Sequence, residues 1–60
     1  MEVYIIKLCI EGEEKYFFNS KSTVYNIEYA HKFYCKRRAK NAFRDSAFSE
    51  LEFELIKIEG

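Results

Sequence analysis

Glu2 to Ile10 reads as a strand with one face wholly apolar from Tyr4 onward. Tyr4, Ile6, Leu8 and Ile10 fall on one face of an extended strand, and Val3, Ile5, Lys7 and Cys9 on the other. The first of these faces is wholly apolar, so the rest of the chain must cover it. Glu11-Gly12-Glu13-Glu14 supplies a Gly-containing turn of hairpin length, and Lys15 to Asn19 resumes as a β-rich aromatic run. The N-terminal third therefore predicts a β-hairpin, and a hairpin alone is marginal in water.

The cover has to come from the residues beyond that hairpin. The polar stretch Asn19-Ser20-Lys21-Ser22-Thr23 reads as a loop. Beyond it the periods mix: Tyr25, Ile27, Tyr29 and Phe33 alternate as in a strand, while Val24, Ile27 and Ala30 line one side of a helical turn. We expect a short helical turn from Asn26 to Ala30 and an extended piece through Lys32-Phe33-Tyr34. From Cys35 to Ala47 the period is helical, with Cys35, Ala39, Ala42, Phe43, Ser46 and Ala47 on one stripe and Arg37, Lys40, Asn41 and Arg44 opposite. Alanines at 39 and 42 let the helix axis approach a sheet closely and leave Phe43 to fill the gap. Phe48-Ser49-Glu50 breaks the period. Leu51 to Glu59 then reads as a strand, with Leu51, Phe53 and Leu55 facing in. Its alternation slips at Ile56 and Ile58, which predicts a bulge near Leu55-Ile56 or a strand covered on both faces at its end. The order strand, strand, short turn, helix, strand predicts a single α+β domain over residues 1–60, an antiparallel sheet of three to four strands with one helix packed on a face.

Size limits this fold. A domain of sixty residues buries only about 60% of the surface its unfolded chain exposes. With 48% hydrophobic and 33% charged residues the chain is too apolar for disorder. It also carries five Tyr and six Phe, more rings than one helix on a small sheet can cover, which points to an aromatic surface, a homodimer or a partner. Cys9 and Cys35 are too few to staple a secreted mini-protein and are expected as buried free thiols, although spacing alone leaves a bond between them open. No signal peptide or apolar run of about 18 residues is present, so a cytoplasmic protein with no membrane contact is expected. One His and no close Cys pair leave a structural zinc site without ligands, and no cofactor is expected.

Charge is segregated. The formal net charge is zero, yet six of the ten Lys and Arg residues lie in the fourteen-residue stretch His31–Arg44, which holds no Asp or Glu. Such a field can steer an acidic partner. Arg37, Lys40 and Arg44 share the outward helix face, flanked by Lys36 and Arg38. Nucleic acid is the alternative, because these cations can release counterions from phosphates and Tyr25, Tyr29 and Tyr34 can stack on unpaired bases. The zero net charge, and the absence of a helix-turn-helix or RNA-recognition pattern, favour an acidic protein surface over nucleic acid. A solvated face balanced by Glu50, Glu52 and Glu54 is the plainest account. No catalytic apparatus is legible. Cys35 sits where a helix dipole and cations favour a thiolate, but His31, read as a half-buried structural residue, has no acid to orient it. Glu52 and Glu54 read as solubility and edge protection, Glu11, Glu13 and Glu14 lack calcium-loop spacing, and the two glycines form no phosphate loop.

The segment Tyr29-Ala30-His31-Lys32-Phe33-Tyr34-Cys35-Lys36-Arg37-Arg38-Ala39-Lys40-Asn41-Ala42-Phe43 resembles a pattern in small early proteins of tailed bacteriophages: an Ala, a Phe three residues later, a polar cap and a Lys/Arg-Ala helix, following an N-terminal hairpin. The likeness covers the middle of the chain, and the flanking strands match by order. Cys35 stands where that pattern would have a Ser or Thr cap, which weakens the cap. The resemblance implies a phage origin and a non-enzymatic role in host takeover or counter-defence. Its implied partner is a host protein such as a nuclease, toxin or transcription component, bound and inhibited much as an antitoxin binds its toxin. The residues expected to contact that partner are Lys36, Arg37, Lys40 and Arg44 on the helix and Tyr16 and Phe17 on the hairpin.

Overall fold

The N-terminal segment forms β1 (Glu2–Ile10), an inner strand of a four-stranded antiparallel sheet in the computed structural model, which describes residues 2–59. Its apolar content on both faces suits that position. β2 (Glu13–Asn19) returns along one edge, with Lys7 opposite Tyr16 and Ile10 opposite Glu13. Both residues of the connecting turn have positive φ, Glu11 at 53° and Gly12 at 81°, the combination that a two-residue hairpin of matching twist requires. Gly12 adopts it freely, whereas Glu11 carries the cost of a Cβ in the left-handed region.

The stretch expected as a loop contains a third strand. A turn at Ser20-Lys21, closed by the Lys21 amide donating to Asn19 Oδ1 at 2.8 Å, leads into β3 (Ser22–Val24), which pairs with the outer side of β2. Three residues with a Ser at the start leave too little apolar pattern to read. β4 (Phe53–Glu59) pairs with the other edge of β1, giving the order β3-β2-β1-β4. The register between β1 and β4 is unbroken from Glu2 opposite Glu59 to Leu8 opposite Phe53, so there is no bulge at Leu55-Ile56. The change of parity has another cause. Phe53 and Leu55 lie on the helix side, while Ile56 and Ile58 pair with Ile5 and Val3 on the opposite face, where Ile5 is fully buried. Leu51, expected to face inward, precedes the strand and is exposed.

After β3, a 3-10 turn at Ile27–Tyr29 begins at Asn26, whose Oδ1 accepts from the Glu28 amide at 2.8 Å. The chain then wedges between β1 and β2 where they splay. The His31 amide donates to the Phe17 carbonyl at 2.9 Å, and Phe33 exchanges both backbone bonds with Tyr4 at 2.7 and 2.8 Å. This insertion places Phe33 beside Phe17, ring centroids 5.9 Å apart, and aims the chain into α1 (Lys36–Arg44).

α1 is shorter than its sequence period. It ends at Asp45 because Ser46 is buried and uses its hydroxyl locally, donating to the Phe43 carbonyl at 2.6 Å and accepting from the Phe48 amide at 3.2 Å. The helix lays Ala39 and Phe43 onto Tyr4, Ile6 and Leu8, and Phe17 and Phe33 complete this core. Phe43 also stacks on Phe53, centroids 4.1 Å apart. Ala47, at the end of the predicted stripe, is exposed.

Candidate partner-binding surface

Burial of Ala39 and Phe43 fixes how α1 is rotated. At 100° per residue, Arg37, Asn41 and Arg44 form the crest turned away from the sheet, with Arg38 and Lys40 on the two shoulders. All are exposed. Among the described residues Arg37, Arg38 and Lys40 make no ion pair; Arg44 lies 3.8 Å from the neighbouring Asp45 carboxylate, both ends in solvent, a contact of little energetic weight. Lys36 turns back toward the sheet instead, its Nζ 5.7 Å from the centre of the Tyr4 ring. It belongs to the packing of the helix start more than to the crest.

The chain's other charges are arranged differently. Lys7 pairs with Glu14 at 3.0 Å, which raises the lysine pKa, and Lys57 pairs with Glu2 at 2.9 Å. Glu2 also accepts from the Tyr4 hydroxyl at 2.6 Å; that bond, followed by Lys57, holds the Glu2 carboxyl below its ordinary value and pushes the Tyr4 phenol up. Lys7 and Lys57 are therefore neutralised locally, whereas among the described residues Lys15 of β2 meets only the face of the Tyr25 ring. The helix cations are not neutralised in this way, and this contrast defines the surface.

At the start of α1 an open cleft of about 580 Å³ is lined by His31, Lys32, Phe33, Tyr34, Cys35 and Arg38. Cys35 makes no capping side-chain bond, yet the free backbone amides of Arg38 and then Arg37 favour its thiolate and draw its pKa below the usual thiol value, against a smaller opposing effect of burial. Both cysteines are exposed and unbonded, contrary to the expectation of buried thiols: Cys9 lies on the sheet face opposite α1 and Cys35 at the helix cap. His31 is likewise exposed, its ring 4.5 Å from that of Phe33, and no side-chain hydrogen bond orients it among the described residues.

The hairpin aromatics divide. Phe17 is 3% exposed and packs against Phe33 and Phe48, so it is a core residue with no face to offer a partner. Tyr16 is half-buried on the face opposite α1, and the exposed ring of β2 is Phe18. The largest exposed aromatics are Tyr25, Tyr29 and Tyr34, each about two-thirds accessible. Tyr25 is tied to the hairpin, donating to Glu13 at 2.9 Å with Lys15 Nζ 5.1 Å from its ring centre. Tyr34 stands free in the cleft beside Arg38. Arg38 is the exposed cleft-lining cation that sequence reasoning undervalued; its signal was the absence of any carboxylate three or four residues away along the helix.

Comparison with protein-family models, with curated proteins and with solved structures finds no match. Among the described residues no cluster of three or more His, Cys, Asp or Glu side chains is arranged to hold a metal ion, and no helix is long and apolar enough to cross a membrane.

Proposed function

We propose that this chain is a non-enzymatic interaction protein whose α1 face docks on an acidic surface of a host protein and inhibits it. The observation that carries this reading is that Arg37, Arg38 and Lys40 make no ion pair among the described residues, in a chain that holds Lys7 and Lys57 with its own carboxylates. Arg on a rigid helix beside an exposed Tyr34 is the kind of residue set that dominates interface energetics. The resemblance of the middle segment to tailed-phage early proteins supplies the setting, the cytoplasm of an infected bacterium.

The test is affinity capture from bacterial lysate with and without nuclease, using the wild type and the double variant Arg37→Glu, Arg44→Glu. Nuclease-resistant recovery of a specific protein that the double variant fails to capture supports the proposal. Nuclease-sensitive recovery transfers the surface to the second reading, a nucleic-acid regulator, which the free Tyr34 ring beside Arg38 favours. Binding of that kind falls steeply with salt for all sequences alike.

A further inference from the structure

The two edges of the sheet are treated differently. Tyr4 gives its N–H and C=O to Phe33, so the bonds between β1 and β4 run through Val3, Ile5 and Lys7 to Ile58, Ile56 and Glu54. The peptide groups of Leu55 and Lys57 therefore point away from the sheet, and no backbone group among the described residues bonds them from the outer side. At the opposite edge β3 is three residues long and its register with β2 is irregular between Phe17 and Asn19, both devices that discourage further pairing. β4 has neither device. It is seven residues long, regular and free of proline, and its one lysine is held by the chain's own Glu2.

We propose that β4 pairs with β4 of a second copy of this chain, antiparallel about a two-fold axis at Ile56, joining the two sheets into one. The argument for a second copy is self-complementarity. In this register the whole strand overlaps, Leu55 lies opposite Lys57 of the second copy and the reverse, and these two pairs exchange about four backbone hydrogen bonds. Ile56 meets its own counterpart in the closer, non-hydrogen-bonded kind of pair, so the half-buried Ile56 and Ile58 of both copies form one apolar strip opposite the helices. Moving the axis to Lys57 sets two ammonium groups face to face, and moving it to Leu55 leaves both strand ends unpaired.

Both copies of α1 then lie on the same side of the joined sheet, each over its own β1, and the two β1 strands are about 14 Å apart. Their like charges repel, so association strengthens with salt, the opposite of binding to an acidic partner.

Sedimentation equilibrium of the full chain, from micromolar to millimolar concentration, tests the proposal with two variants. Lys57→Pro removes the outward N–H at a position where an edge strand tolerates proline, and Lys57→Ala keeps it. The expected result is a twofold mass for the wild type and Lys57→Ala, and a single-chain mass for Lys57→Pro with an unchanged circular dichroism spectrum. A wild type that stays at the single-chain mass, or a Lys57→Pro as dimeric as the wild type, overturns the proposal. Should Lys57→Pro fail to fold, amide exchange in the wild type decides. Slowing of the Leu55 and Lys57 amides by about tenfold or more as concentration rises supports the pairing, and concentration-independent exchange overturns it.

Discussion

Replacing Phe43 with alanine removes the one large side chain by which α1 holds the sheet. The ring is 3% exposed, lies in the core with Tyr4, Ile6 and Leu8, and stacks on Phe53 at 4.1 Å. Ala39 and Ala42, its neighbours on that stripe, are too small to close over the space it vacates. A fully buried Phe→Ala change costs about 3–5 kcal/mol. The whole stability of a sixty-residue domain is about 3–9 kcal/mol at the usual value per residue. Phe43→Ala should therefore leave the chain at or near the unfolding midpoint at room temperature. Phe43→Leu, which keeps part of the contact, should cost about 1–2 kcal/mol and lower the melting temperature by about 4–8 °C for each kcal/mol. Phe53→Ala should fall below Phe43→Ala, because Phe53 is 38% exposed on the other side of the stack. Urea unfolding followed by far-ultraviolet circular dichroism measures all three. A loss of less than about 1 kcal/mol for Phe43→Ala would refute the reasoning, since it would mean that the helix is held by its connections and not by its ring.

Arg37→Ala and Arg44→Ala should change stability by no more than about 0.5 kcal/mol while weakening capture of the partner, and unchanged capture would mark the crest as a solvated surface. Cys35 should react with iodoacetamide faster than Cys9 at neutral pH, with its rate rising at a lower pH than that of a free thiol; equal profiles would show that the Arg38 and Arg37 amides do not act on the sulfur. Glu2 has a folded-state pKa held below its ordinary 4.5, so its contribution to stability is present above that value and is lost as the pH falls through the folded pKa. Glu2→Gln should therefore reduce stability at neutral pH and flatten the acid limb of the unfolding profile, and an unchanged acid limb would remove Glu2 from the account.

How much of the fold was legible in the sequence depends on how many residues carry each signal. β1 and its hairpin were readable because one face of nine consecutive residues is wholly apolar from Tyr4 onward and Gly12 marks the turn. The turn, however, is two residues long, and β2 starts at Glu13, two residues before the aromatic run at Lys15 shows it. α1 was readable from Ala39, Ala42 and Phe43, but its end was not: Ser46 keeps the period and stays buried, yet its hydroxyl bonds to the Phe43 carbonyl and turns the chain away. β3 left no signal because a three-residue edge strand needs little apolar surface. The insertion at His31–Phe33 depends on where β1 and β2 diverge, a tertiary fact that no local period encodes. The same limit explains Phe17. Adjacent rings at Phe17 and Phe18 look alike in sequence, but the strand sends one into the core against Phe33 and Phe48 and the other to solvent. The charged face behaves oppositely. A helix crest in water is fixed by its period alone once the buried stripe is known, so Arg37 and Arg44 stand where the pattern puts them. Which cations remain unpaired is a matter of geometry. Lys7 and Lys57 find carboxylates across the sheet, and the helix, whose stretch contains no acid, leaves Arg37, Arg38 and Lys40 without an ion pair among the described residues.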